Sequence, residues 1–258
     1  MASERPTGPT EHDETVQSVV LCYHGISDSW DHQLAVTADA FERQLQQLLR
    51  RGYRPVSAAG TLDGRGRLLH VTFDDAYRNV ATAVPILERL NVPSTVFACT
   101  DYAIDGRALD VPEVATAAAA HPEHMATMTW DALRELSERG VEIGSHTITH
   151  PHLPQLSDGE LDRELRESRD VLQDRLGRPC RFLAYPYGDD DERVYRAAER
   201  AGYDGAFSLR GAGRSDRFAI PRVDLYRKDT NLRVWLKTSA LRVTAFKVAS
   251  GLRRVGRR

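Results

Sequence analysis

The chain has 258 residues, with 35 Lys and Arg against 37 Asp and Glu, a net charge of −2 and 41% hydrophobic residues. That balance excludes a global attraction to nucleic acid or membranes, and the length suits one large α/β domain with a sizeable core. Cys22, Cys99 and Cys180 are an odd set without zinc-finger spacing, and Cys22 and Cys99 sit in apolar runs that read as buried thiols in a reducing compartment.

Residues 1–15 are polar, carry prolines and acids, and lack the apolar core of a signal peptide, so they read as a disordered tail on a cytoplasmic protein. The first strand, Ser18 to Tyr23, delivers His24 to a strand's C-terminal end, where α/β folds bind their ligands. Thr37 caps a helix whose Phe41, Leu45, Leu48 and Leu49 recur at helical spacing. Gly60 to Arg67 reads as a solvated loop. Leu68 to Phe73 is an apolar run, hence a buried strand, and it ends in Asp74-Asp75. Neighbouring side chains on an extended segment face opposite ways, so one carboxylate can hold a metal while the other handles a proton.

Ala76 to Leu90 reads as a helix with Val80, Val84, Ile86 and Leu87 inside and Pro85 marking a kink or break. Ser94 to Cys99 is the next strand, and Asp101 to Ala126 is irregular. Thr129-Trp130-Asp131 opens a helix that Gly140 ends. Val141 to Ser145 is a further strand running into His146-x-x-x-His150. Two imidazoles four residues apart face one way if the segment turns helically. With a carboxylate they suit zinc or a similar divalent ion and leave positions for water and substrate; the plainer alternative is a pair of surface histidines.

Ser157 to Glu160 is a capping box, opening a long helix with Leu161, Leu165, Val171 or Leu172, and Leu176 inside and its charges on a solvated face. Arg181 to Gly188 is a strand ending in a tight turn that can aim a backbone N–H into a site. Asp189, Asp190 and Asp191 then cap the helix to Ala201. Ala206 to Leu209 and Ala219 to Asp224 are the last strands. Residues 227–258 form a basic helical segment in which Asp229 is the only acid and Leu232, Trp235, Leu236, Leu241, Phe246 and Val248 are apolar. It reads as a final helix with a basic end, or as an amphipathic segment touching anionic lipid. The strand–helix alternation predicts a parallel sheet closed or nearly closed into a barrel, one domain over residues 16–226.

Thr72-Phe73-Asp74-Asp75, His146-Thr147-Ile148-Thr149-His150 and Tyr185-Pro186-Tyr187-Gly188 resemble, in order, the three motifs of the polysaccharide deacetylases (the NodB-homology group, carbohydrate esterase family 4). Tyr23-His24 and Thr129-Trp130-Asp131 resemble the branch that begins with a Tyr-His strand. The resemblance runs from about Val19 to about Asp224. It implies an α/β distorted parallel (β/α) barrel and a hydrolase that removes acetyl groups, N-acetyl ahead of O-acetyl, from an acetylated amino-sugar glycan or its precursor. It implies one divalent metal, Zn2+ ahead of Co2+ or Ni2+, on Asp75, His146 and His150. Asp74 becomes the general base, the Tyr187 N–H an oxyanion donor, and Tyr185, Pro186 and Trp130 substrate-side residues.

Three positions depart from the family pattern. Ala76 replaces a usual Gly, a small change if the backbone there is not left-handed. Ala184 stands where an Arg usually pairs with the base, and Arg222 is expected to supply that charge. The late Leu-x-His motif has no match after Val223, which assigns the general acid to His24. Two other readings keep the fold: an amidohydrolase acting on a small amide or secondary metabolite, and a non-catalytic glycan-binding barrel. Nucleic acid is not expected as a partner. A sugar nucleotide, or a lipid-linked glycan met at the inner membrane face through the basic C-terminus, fits the expected location.

Overall fold

Apolar runs bounded by turn residues become strands that are buried on both faces. In the computed structural model, which describes residues 18–62, 66–209 and 216–239, the chain opens with β1 (Val19–Tyr23), β2 (Gly25–Ile26), β3 (Ala35–Val36), α1 (Ala38–Arg50), β4 (Arg54–Pro55) and β5 (Leu68–Phe73). It continues with α2 (Val84–Leu90), β6 (Ser94–Ala98), α3 (Ala115–Ala120), α4 (Pro122–Met125), α5 (Trp130–Glu138) and β7 (Glu142–Ser145). Then come α6 (Asp158–Leu176), β8 (Phe182–Ala184), α7 (Glu192–Arg200), β9 (Gly205–Ser208), β10 (Ile220–Pro221), β11 (Val223–Asp224) and α8 (Asn231–Lys237). The expected N-terminal tail, and the basic segment from residue 240 onward, lie outside the described residues.

Among the described residues all the pairings between these strands are parallel, and only two isolated bridges, Tyr77 to Thr127 and Ala108 to Ala126, are antiparallel. β1 pairs β5 from Val19 opposite Leu69 to Tyr23 opposite Phe73, and the sheet runs on through β6, β7, β8 and β9. β10 and β11 are two halves of one strand interrupted at Arg222. Ile220 lies opposite Phe207 of β9, and Val223 lies opposite Leu21 of β1. One strand therefore joins both edges of the sheet and nearly closes the barrel, as the alternation predicted. β4, which the sequence left unassigned, adds parallel to the start of β5, with Arg54 opposite Leu68 and Pro55 opposite Leu69.

Alternation along the strands sorts the core. On β5, Leu69, Val71 and Phe73 join the large outer core under the helices, while His70 and Thr72 belong to the other face. Phe97, Phe182, Phe207, Val20 and Ala184 form a separate inner cluster. The helix caps follow the sequence: Thr37 accepts from the Ala40 N–H, and Ser157 and Glu160 complete their capping box.

Three elements differ from expectation. Residues 76–90 are not one helix: a 3-10 stretch, Arg78–Ala83, precedes α2, and Pro85 sits in the first turn of α2, where its missing N–H costs no hydrogen bond. Of the three aspartates after Gly188, Asp191 caps α7 by accepting from the Val194 N–H, while Asp189 and Asp190 bond elsewhere. Residues 101–126 are folded rather than irregular. They form a second core of Tyr102, Leu109, Val111, Ala118 and Met125 packed on Trp30 and Tyr77. No helix among the described residues is long and apolar enough to cross a membrane.

His70 is fully buried, its Nδ1 donating to the Val56 carbonyl at 2.9 Å and its Nε2 lying 3.0 Å from the Thr95 hydroxyl oxygen. Burial lowers its pKa from 6.5 to about 4. Between those values the unfolded chain binds a proton that the folded chain refuses, so stability falls as pH falls through that window. The His70 contribution to this loss is on the order of 3 kcal/mol. Urea unfolding of wild type and His70→Gln at pH 7 and near pH 4 will show a smaller loss for the variant; equal losses would refute the assignment.

Candidate active site

Left-handed backbone collects where the strands end. Among the described residues, six non-glycine residues have positive φ, and five of them, Asp75, Ala76, Thr147, His150 and Tyr187, lie in the three motif loops. Each costs about 1–2 kcal/mol. Asp74 continues the ladder, its N–H donating to the Tyr23 carbonyl. At Asp75 the chain turns left-handed (φ 65°) and stays so at Ala76 (φ 50°). The usual Gly is therefore replaced at a left-handed position, so the condition under which the change to Ala76 would be small is not met.

His146 and His150 also meet differently from expectation. The segment does not turn helically; left-handed residues at Thr147 (φ 73°) and His150 (φ 62°) fold it back. Glu164, buried on α6, holds this loop by accepting from the Ile148 and Thr149 N–H groups and the Thr149 hydroxyl at 2.8–3.1 Å. The sequence reading placed the α6 charges on a solvated face. The signal against it was present: Glu164 falls on the Leu161, Leu165, Ser168, Leu172 stripe at helical spacing.

The loops bring Asp75, His146 and His150 together, all buried, with one ligand atom from each within 4.8 Å of the others. His146 Nδ1 donates to the Ala184 carbonyl at 2.8 Å, which leaves Nε2 as a bare lone pair 3.5 Å from Asp75 Oδ1. His150 Nε2 lies 3.3 Å from the same oxygen, which has no hydrogen-bond partner. Burial lowers the His146 pKa to about 4, so at neutral pH this ring is a neutral donor. Burial pushes Asp75 up, but the close His150 ring, with His24 and His146 beyond it, holds its carboxyl far below the ordinary range. Imidazole lone pairs and a carboxylate oxygen converging in a buried cluster suit a divalent cation, and the donor set is one that zinc accepts.

Asp74 lies beside this cluster. Arg222 donates Nη1 to Oδ1 at 2.6 Å and Nη2 to Oδ2 at 2.8 Å, and the Cys22 thiol approaches Oδ2 at 3.4 Å. Both side chains are buried. Burial alone would raise the Asp74 pKa; the Arg222 guanidinium, then His146, bring it below the ordinary value. Arg222 and Asp74 are therefore paired, the guanidinium coming from the closing strand instead of the third motif.

His24 follows β1, stacked on Tyr226 with centroids 6.3 Å apart. Its field is felt by both Asp74 and Asp75, and its Nδ1 is buried without a hydrogen-bond partner. Tyr187 stands edge-on to His150 at 4.5 Å and stacks on His152 at 4.0 Å. Its hydroxyl donates to Glu113, which reaches over from the 101–126 segment and also binds His152 Nε2, while Asp189 takes Nδ1. Hydrogen bonds to Glu113 and Asp189 raise the His152 pKa. Glu113 and His152 were not singled out in the sequence, and Asp189 was read as a helix cap; His152, two residues past His150, had a local signal.

Two of the substrate-side residues do not face the site. Tyr185 is fully buried and its hydroxyl donates to the Phe218 carbonyl, so it anchors the strand end. Trp130 is the buried first residue of α5 in the outer core, with Arg175 above its ring. Pro186 is buried inside the turn that presents Tyr187.

Residues 62–206 match the sequence profile described as Polysaccharide deacetylase. The Bacillus subtilis (strain 168) protein YxkH, named for the same activity, is 27% identical over 215 residues, 79% of this chain and 70% of YxkH. A polysaccharide deacetylase from Bacillus cereus superposes with a TM-score of 0.69 at 22% identity, covering 86% of this chain and 69% of that one. The Streptococcus pyogenes deacetylase PplD, solved with acetate, gives 0.70 at 21% identity, covering 87% and 99%. At such identity the structures speak for the fold.

Removing one partner from a buried pair strands the other charge. Arg222→Met is expected to lower the unfolding free energy in urea by about 3–5 kcal/mol. Asp74→Asn combined with Arg222→Met should recover part of that loss, because no charge is left buried. A single variant as stable as wild type would show that the pair does not hold the seam.

Proposed function

The chain belongs to the polysaccharide deacetylase family and is a hydrolase of that class, and we propose that it removes acetyl groups, N-acetyl ahead of O-acetyl, from an amino-sugar glycan or its precursor in a metal-dependent reaction. The observation that carries this reading is a buried carboxylate, Asp74, clamped by Arg222 beside the buried Asp75, His146 and His150 donor cluster. A non-catalytic barrel would rest on the absent third-motif arginine and the absent late histidine; Arg222 brings a guanidinium to Asp74, and this reading gives the histidine's part to His24.

Asp75, His146 and His150 would hold the cation, with zinc the first candidate. Once bound, it supplies a Lewis acid that polarises the acetyl carbonyl and acidifies water. Asp74, kept ionised by Arg222, accepts a proton from the attacking water. Arg222 also fixes both carboxylate oxygens, so the base cannot rotate away from that water. The Tyr187 N–H is the proposed donor to the developing oxyanion. His24 gives a proton to the departing amine or hydroxyl as the C–N or C–O bond breaks, and acetate is the second product. The free, buried thiols of Cys22, Cys99 and Cys180 support a reducing, cytoplasmic setting for the reaction.

Metal analysis and acetate release from N-acetylglucosamine oligomers test the proposal. Asp74→Asn should keep its metal and lose about 10²–10⁴-fold in rate. His150→Ala should lose metal, and a chelator should abolish wild-type activity until zinc is returned. Full activity in Asp74→Asn would remove the base; full activity after metal removal would remove the metal. His24→Ala should slow amide substrates with poor leaving groups far more than activated aryl acetates, which leave without protonation. An equal effect on both would overturn its role as general acid.

A further inference from the structure

The neutral balance of the whole chain hides a strong polarity. Residues 227–258 contain ten Lys and Arg against the single acid Asp229, a net charge of +9, so the remaining residues carry −11. The described part of this basic region contains α8. Val234 is fully buried and pins α8 to the core, and Gln47 of α1 donates to the Asn231 carbonyl. The opposite face presents Leu232, Trp235 and Leu236, exposed by 65%, 42% and 48%. Their spacing puts them in one stripe. They are half of the exposed large hydrophobics among the described residues, whose others (Leu62, Ile104, Val171) are scattered along the chain.

Cations lie at the end of that stripe and on α8 itself. Past the C-terminal end of α8, Arg51 donates to the Thr238 carbonyl, Arg67 donates to the Arg51 carbonyl, and the Arg54 N–H bonds the Arg67 carbonyl. Among the described residues, Arg51, Arg54 and Arg67 have no acidic partner. On α8 itself Arg233 is exposed, and Lys228 is exposed just before it. Six further cations, from Arg242 to Arg258, follow α8 in the sequence, interleaved with Leu241, Val243, Phe246, Val248, Leu252 and Val255.

An apolar stripe containing tryptophan, with basic side chains at its end and along its helix, matches the chemistry of a bilayer interface: a hydrocarbon edge beneath anionic headgroups. We propose that the α8 flank docks on an anionic phospholipid surface, with Leu232, Trp235 and Leu236 inserted and the Arg51, Arg54 and Arg67 group facing the headgroups. The acidic remainder of the molecule is repelled by the same surface, so the docking is oriented. This holds whatever the acetylated substrate is.

The test uses the full-length protein, with vesicles of phosphatidylcholine alone or with about one third phosphatidylglycerol, sedimented at low salt and at about 0.5 M salt. Binding should be at least tenfold stronger to the anionic vesicles and lost at high salt. Leu232→Ser, Trp235→Ser and Leu236→Ser together should lower it about tenfold or more, and Arg54→Glu with Arg67→Glu should abolish its low-salt part. Unchanged acetate release and urea midpoints would show that these variants fold. Trp30 and Trp130 are buried, so Trp235 emission reports the surface directly and should shift to the blue on anionic vesicles. Equal binding to both vesicle types, or binding untouched by the substitutions, overturns the proposal. So does a Trp235 that iodide cannot reach without vesicles, which would mean that residues 240–258 cover the stripe. A dimer in light scattering that the serine variant dissolves would assign the stripe to a second copy.

Discussion

The bidentate pair between Arg222 and Asp74 is the constraint around which the barrel is arranged. Two full charges sit in the interior, where either alone would be costly. They are tolerable because the geometry is good and because Thr72 and Cys22 also approach the pair. The pair can form only if the closing strand reaches both sheet edges, since Arg222 is the residue at which that strand changes partner from β9 to β1. Closure and the charged site are therefore one event. The phenyl rings of Phe97, Phe182 and Phe207 belong to the inner cluster, and Arg222 lies over Phe97, which leaves the guanidinium little freedom.

The strained backbone has the same logic. Left-handed turns at Asp75, Thr147, His150 and Tyr187 aim side chains that regular strand ends would send elsewhere. Such turns persist only where surrounding bonds over-determine them. Glu164 supplies part of that restraint with three hydrogen bonds to one loop, and Ala184 fixes the tautomer of His146 through its carbonyl. Ala184 stands where the family usually places an arginine, so the third motif orients a ligand here and the guanidinium comes from across the barrel.

The 101–126 segment gives the site one wall. Its small core packs on Trp30 and Tyr77, and Tyr77 stands two residues after Asp75. From it Glu113 bridges to Tyr187 and His152, so the rim beside the ligand cluster is tied to the segment in which substrate selection is most easily varied.

Read alone, the sequence determined the strands, the helix caps and the three motifs, because these signals are local: apolar runs, period-3.6 stripes, and Ser or Thr three residues ahead of the N–H it caps. It also named Arg222 as a candidate partner for the base, though only through a resemblance and an absent arginine. Only the tertiary structure decided the rest. The partners Asp74 and Arg222 are 148 residues apart, and Glu113 and Tyr187 are 74 apart, distances over which no periodicity carries information. The left-handed backbone at Ala76 and the non-helical approach of His146 to His150 were likewise hidden, because non-glycine residues adopt such angles only when packing elsewhere compels them. Tyr185 and Trp130 show the converse. Their residue types suit a sugar-binding surface, but burial is a property of the assembled fold, and the fold turned both inward.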